Sequence, residues 1–197
     1  MSANRPIIPN CALAALAIWH SPANRAASAD GVPVNTAIPG RGSLPYLALS
    51  VAVVALDQLT KFLIERHLAM FEAVNVLPVL EITRLHNTGA AFSFLADEAG
   101  WQRWLFTALA IIVSIVLALW LRRIPSYARV LATAVELILG GAVGNVIDRL
   151  RLGHVIDFIY AHWDRHYFPA FNVADSAICV GAGLLLLDTW LSGRRGG

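Results

Sequence analysis

Charge is what this 197-residue chain has least of. Asp, Glu, Lys and Arg together make up 14% of it, where a soluble domain carries about a quarter. So thin a supply of charge excludes an ordinary water-soluble globule. Cysteine is nearly absent too. Cys11 sits in a polar-flanked N-terminal stretch and Cys179 deep in an apolar run, which excludes a disulfide framework and a cysteine metal site. The net charge of +2 comes without a basic stripe, so no nucleic-acid partner is expected. There is no glycine-rich phosphate loop and no repeat of useful period.

What is present is hydrophobic, 57% of the residues, and it is gathered into runs. A helix that crosses a bilayer needs about 20 mostly apolar residues. Four stretches approach or reach that length: 44–64, 104–121, 128–147 and 174–191. The second is free of charge and closes on Arg122 and Arg123; the fourth closes on Arg194 and Arg195. Residues 1–43 differ, being rich in Pro, Asn, Ser and Ala without helical periodicity, and they read as a disordered extension. Its short run "CALAALAIW" is preceded by Arg5 alone and interrupted by Pro6 and Pro9, a poor match to a signal peptide. The membrane-embedded remainder is 44–193, followed by a short tail, 194–197.

Between the first two runs, "NVLPVLEITRLHNTGAAFSFL" carries β-branched residues, a proline and an Asn-Thr-Gly turn, which predicts a short sheet on the membrane surface. Trp101 and Trp104 suit an interfacial belt. The segment 148–171 reads as an aromatic loop, with Tyr160, Trp163, Tyr167 and Phe168. An even number of spans puts both termini on one side. The arginines of "RRIPSYAR", in a short loop on that side, favour the cytoplasm for it.

The acids are the informative residues, because a charge at the centre of a span costs about 2.5–3.5 kcal/mol on insertion scales. Asp157, in "GHVIDFIYAHW", and Asp175, in "FNVADSA", fall at the same end of the helices, and the chain between them can return so that they face each other. Two carboxylates sharing a site hold one proton between them, which is the chemistry of aspartic peptidases. The plainer alternative makes Asp157 a solvated loop acid and Asp175 a first-turn helix charge, where the macrodipole favours the ionised form. Asp57 and Lys61 are four apart, which supports an ion pair. Asp148 and Arg149 close the third run, with Asn145 one turn before Arg149, and Gly140, Gly141 and Gly144 form a small-residue face for close helix approach. Glu136, in mid-span, has no evident partner. His162 and His166 have the spacing of two metal ligands on a helix, but no third ligand is visible, so no metal is expected. Ser93 and Ser176 have no base placed beside them.

The blocks "DQLTK", "NTGAAFSFL", "GGAVGNVIDRLRLGHVIDF" and "FNVADSA" stand in the order and spacing of bacterial lipoprotein signal peptidases (signal peptidase II), which the chain resembles over about 44–191. The resemblance implies an all-α polytopic membrane fold: four transmembrane helices, a small periplasmic β cradle and a short periplasmic helix or loop. It implies a bacterial inner-membrane enzyme with cytoplasmic termini and its site at the periplasmic face. The implied activity is aspartic endopeptidase cleavage of diacylglyceryl-modified prolipoproteins just before the lipidated cysteine. The implied catalytic residues are Asp157 and Asp175, supported by Asp57, Lys61, Asn87, Gly89, Asn145, Arg149 and Asn172. The enzyme is expected to work as a monomer among membrane lipids, with no cofactor. The long extension and Glu136 depart from the family's pattern. A proton-coupled transporter with a carboxylate relay is the rival reading, weakened by acids gathered at one face and by the lack of an inverted repeat.

Overall fold

The structure, a computed structural model, describes residues 44–89, 101–164 and 166–195. The extension 1–43 and Ser93 lie outside these. The described elements, in chain order, are α1 (Leu44–His67), β1 (Ala73–Leu77), β2 (Leu80–Asn87), α2 (Trp101–Leu121), α3 (Arg129–Arg151), β3 (Val155–Trp163), β4 (His166–Tyr167) and α4 (Val173–Arg195). The four helices are long and apolar enough to cross a membrane.

Helix α3 is the hub, packed against each of the other three. Its small residues allow this. A Cβ on Gly144 would lie 2.6 Å from Asp57 Oδ2, and one on Gly140 would lie 2.8 Å from the Ser50 carbonyl, so only glycine lets α1 come this close. Gly141 similarly faces Ala174 and Ile178 of α4. Toward the Arg129 end the packing is apolar, with Leu117 and Leu121 of α2 against Ala132, Val135 and Leu139 of α3. Leu105, Leu109, Ile112, Val116 and Leu119 of α2 point outward, as do Val180, Leu186 and Trp190 of α4. Apolar faces of this extent suit lipid as their solvent. Hydroxyls within the spans are satisfied locally: Thr107 donates to the Arg103 carbonyl at 2.6 Å and Ser114 to the Ala110 carbonyl at 2.7 Å.

At the Arg151 end lies an antiparallel sheet of order β1-β2-β3-β4. Strands β1 and β2 are the short sheet foreseen from the sequence. Strands β3 and β4 correct the expected aromatic loop: "VIDFIYAHW" pairs with β2 from Leu80↔Ala161 to Asn87↔Val155. Its β-branched and aromatic residues find in β2 an edge to pair with. The positive φ of Gly153, +87°, turns the chain out of α3 into β3, a conformation glycine adopts without strain. His162 and His166 are therefore on a hairpin, where Trp163 pairs with His166 and His162 with Tyr167, and not on one face of a helix. Among the described residues no cluster of His, Cys, Asp or Glu could hold a metal ion, and the short extra helix implied by the resemblance is not among them. Beyond β4 the chain runs back along β3, with the N–H groups of Phe158 and Ile159 both donating to the Phe171 carbonyl. That pairing delivers Asn172 and the start of α4 to the middle of β3.

Candidate active site

The segment Asn172–Asp175 forms a reciprocal cap on α4. Asn172 Oδ1 accepts from the Asp175 N–H at 2.9 Å, and Asp175 Oδ2 accepts from the Asn172 N–H at 3.3 Å. This is the capping-box arrangement, built with Asn and Asp. It leaves two groups free to reach outward. Asn172 Nδ2 donates to Asp157 Oδ1 at 2.7 Å, and Asp175 Oδ1 accepts from Asn145 Nδ2 at 2.8 Å. One residue, Asn172, thus donates to both carboxyl groups, to Asp157 through its side-chain amide and to Asp175 through its backbone N–H. The first-turn helix acid and the member of a carboxylate pair are the same residue, Asp175.

Asp157 is not a solvated loop acid. It is 3% exposed, on β3, with Asn87 Nδ2 donating to its Oδ2 at 2.9 Å. The amide of Asn87 is oriented by Gly89, whose N–H donates to Asn87 Oδ1 at 2.8 Å. Burial pushes Asp157 up to about 6; the charge on Asp175 adds to the rise, while the donors Asn87 and Asn172 and the charge on Lys61 oppose it. Asp157 is therefore poised to gain or lose a proton near neutral pH.

Beneath the pair, the chain's only lysine is almost wholly buried. Lys61 Nζ lies 2.8 Å from both Asp57 Oδ2 and Asp148 Oδ2 and donates to Asn145 Oδ1 at 3.1 Å. All three donors of the ammonium are used. The expected Asp57–Lys61 pair is present, but it is one arm of a larger network. Asp57 Oδ1 also accepts from the Ala174 N–H at 2.9 Å, a second cap on α4. Asp148 Oδ2 accepts from the Ile156 N–H at 3.3 Å, fixing the start of β3. Gln58 Nε2 donates to Asp148 Oδ1 at 2.7 Å and to Asp57 Oδ2 at 3.3 Å. The network therefore locates both elements that carry the pair: α4 through Asp57 and β3 through Asp148.

Asn145, unexplained by the glycine packing, connects the two levels: it accepts from Lys61 and from Asn172 Nδ2 and donates to Asp175. Arg149 places its charge near Asp175, Asp157 and Asp148, with its Nε buried and unbonded. Sequence reasoning missed Gln58 and Arg103, and it placed Asp148 beside Arg149 at the close of the third run without seeing its tie to Lys61. Arg103 of α2 donates from Nε to the Arg149 carbonyl at 2.9 Å, capping α3. Gln58 adjoins Asp57 in "DQLTK", but nothing in that string shows that it reaches α3. Ser176 donates to the Asn172 carbonyl at 2.9 Å.

All of these residues lie inside 49–191, the segment that matches the family described as signal peptidase (SPase) II. The chain belongs to the signal peptidase II family. It is 54% identical over 157 residues to the lipoprotein signal peptidase of Pseudomonas aeruginosa strain UCBPP-PA14, covering 79% of this chain and 93% of that one. With the lipoprotein signal peptidase of Acinetobacter baylyi it shares 54% over 148 residues, 75% of this chain and 83% of the other. Two solved structures, both described as bacterial membrane enzymes determined by the in meso method, have the same fold. The one at 1.9 Å resolution gives a TM-score of 0.65 at 32% identity, covering 73% of this chain and 90% of that one. The one at 2.3 Å gives 0.68 at 30%, covering 78% and 92%. Membership of a signal peptidase II family makes this a multi-pass membrane peptidase and sets the transporter reading aside.

Proposed function

We propose that this signal peptidase II family member is an intramembrane aspartic endopeptidase. It removes signal peptides from diacylglyceryl-modified prolipoproteins, cutting just before the lipidated cysteine, with Asp157 and Asp175 as its catalytic acids. The observation that carries the reading is the single residue, Asn172, that donates to both carboxyl groups, to Asp157 from its side-chain amide and to Asp175 from its backbone N–H, at one end of four apolar helices. Two acids held this close share protons, and one of them, Asp157, titrates near neutral pH.

In the proposed reaction, a water between the two groups loses a proton to the ionised carboxylate as its oxygen attacks the scissile carbonyl. The protonated partner donates to the carbonyl oxygen. Collapse of the tetrahedral intermediate breaks the C–N bond, and the proton taken from water passes to the leaving amine. Asp175, facing two N–H donors in the first turn of α4, suits the accepting role. Arg149 supplies positive charge beside the developing oxyanion. Asn87, Gly89, Asn145 and Asn172 hold the acids in place; Asp57 and Lys61 hold the elements that carry them. No metal or cofactor takes part in these steps.

The placement follows from the substrate. A site at the helix ends on the periplasmic face, with both termini cytoplasmic, meets the scissile bond while the diacylglyceryl chains stay in the lipid. The enzyme acts as a monomer in the bacterial inner membrane. The test is to replace Asp157 by Asn and, separately, Asp175 by Asn, and to follow cleavage of a diacylglyceryl-modified prolipoprotein in membranes. Each variant is expected to lose at least about a hundredfold in rate, the lower range for general acid–base groups. Processing at the wild-type rate by either variant, normally folded and inserted, sinks the reading.

A further inference from the structure

Two imidazoles that no step above uses stand on the sheet beside the site. His86 of β2 and His154, just before β3, stack face to face with ring centroids 3.7 Å apart and planes 20° from parallel. The register explains the contact: His86 pairs with Ile156, so His154, two residues earlier, is its diagonal neighbour on the same face. Asp157 pairs with Leu85 and accepts from Asn87, so it lies on the opposite face. The stack therefore grips the stretch of β2 and β3 whose register sets Asn87 against Asp157.

Both rings are held uncharged. Each Nε2 is buried with no hydrogen-bond partner among the described residues, and a second N–H there would be an unsatisfied, charged donor. Burial lowers the pKa of both below the usual imidazole range. For His86 the neighbouring His154 and Arg84 add to the effect against Glu65; for His154 Arg84 adds to it, against Glu65, Asp148 and a bond to the Leu152 carbonyl. Those charged groups come from three elements, Glu65 from α1, Arg84 from β2 and Asp148 from α3, and Arg103 of α2 adds a further cation beside Gly153, the residue before His154. The two acids are already engaged, Glu65 with Arg84 at 3.4 Å and Asp148 with Lys61 at 2.8 Å. Charging the stack would set two cations face to face beside a third, Arg84, and like charges so close repel strongly.

We propose that the His86–His154 stack is a positioning device for Asp157: uncharged, it clamps the β2–β3 register that keeps Asn87 on Asp157, and charged, it springs that register and withdraws Asn87. The inference rests on Asp157 being a catalytic acid. It makes the enzyme lose turnover on acidification for a reason separate from titration of the carboxyl pair.

The test is the pH profile of kcat/KM for the full chain in micelles, on a diacylglyceryl-modified prolipoprotein, with wild type and the double variant H86F/H154F. Phenylalanine can still stack and cannot titrate. The ratio of kcat/KM at about pH 5 to that at about pH 7.5 is expected to rise at least about fivefold in the double variant. An unchanged ratio overturns the proposal. A second measurement covers a variant that fails to fold: imidazole resonances of the wild-type protein. Both rings should titrate below the ordinary value, and the Asn87 side-chain amide should shift with them. An ordinary pKa for either ring, or an Asn87 amide that ignores the transition, overturns it as well. The Asp157→Asn assay separates the two levels. If that variant is dead while the ratio in H86F/H154F is unchanged, only this inference fails; if it is active, the catalytic reading fails first.

Discussion

The two halves of α3 place polar groups in the membrane bundle on opposite terms. Toward Arg151, Asn145 and Asp148 are buried, and each has three partners drawn from other elements. Toward Arg129, Glu136 is 1% exposed, and its Oε1 has no partner among the described residues. Both halves are close-packed, but only the first is organised by its charges. A buried ion is tolerable when its bonds are complete and costly when they are not. The difference singles out the end proposed for the chemistry, where two helices, a strand and a turn are tied to common side chains. The sharpest tests remove one tie, shift one proton, or fill the unorganised half with carbon.

The largest effect is expected from Lys61→Met. The substitution leaves Asp57 and Asp148 buried with no cation between them, and breaking a buried pair in this way costs about 3–5 kcal/mol. Because Asp57 caps α4 and Asp148 anchors β3, the loss should reach both elements that carry the proposed catalytic acids, so cleavage should fall together with thermal stability in micelles. Adding Asp148→Asn removes one of the stranded charges and should recover part of the stability. A Lys61→Met protein as stable as wild type would show that the charges do not organise this half after all.

Asp157→Asn tests the same half by its proton. The carboxyl is raised in the folded state to about 6 from an ordinary 3.8. A folded protein that holds this proton more tightly than the unfolded chain is favoured below the unfolded value and loses that contribution as pH rises through about 6. Asparagine resembles the protonated form at every pH. The variant should therefore be more stable than wild type at pH above about 7, by about 1–3 kcal/mol, and the gap should close below about pH 4. Thermal midpoints measured across that range check the sign. A gap that widens on acidification would mean that Asp157 is stabilised as the anion.

The contrast was only partly legible in the sequence. The four spans were, because twenty apolar residues in a row have few alternatives. The pairing of Asp157 with Asp175 was legible as a coincidence of depth, and the motif blocks turned it into an expectation. The strand around Asp157 was not. "VIDFIYAHW" lies far along the chain from β2, and a sheet partner supplied by tertiary pairing leaves no local mark. The triple role of Lys61 was hidden for the same reason: an i,i+4 acid predicts one ion pair, but Asp148 and Asn145 arrive on another helix. The cap at Asn172 was within reach. "NVAD" has the four-residue spacing of a capping box, and that spacing alone ties Asn172 to Asp175.

The smallest effect is expected in the other half, from Glu136→Leu. The side chains are of similar size, so the substitution leaves no cavity to absorb. The hydrogen bond that Ser50 Oγ makes in this region, at 2.9 Å, goes to the Glu136 backbone carbonyl and survives the change. What disappears is a buried carboxyl with an oxygen that bonds to nothing, and a buried unsatisfied polar atom costs about 1–3 kcal/mol. The variant should thus be at least as stable as wild type, with a gain of about 1 kcal/mol, and should cleave substrate at the wild-type rate. Thermal unfolding and the cleavage assay, run side by side on Glu136→Leu and Lys61→Met, then read one helix at both ends. A Glu136→Leu variant that is destabilised or slow would give the acid a structural or catalytic task and erase the difference between the halves.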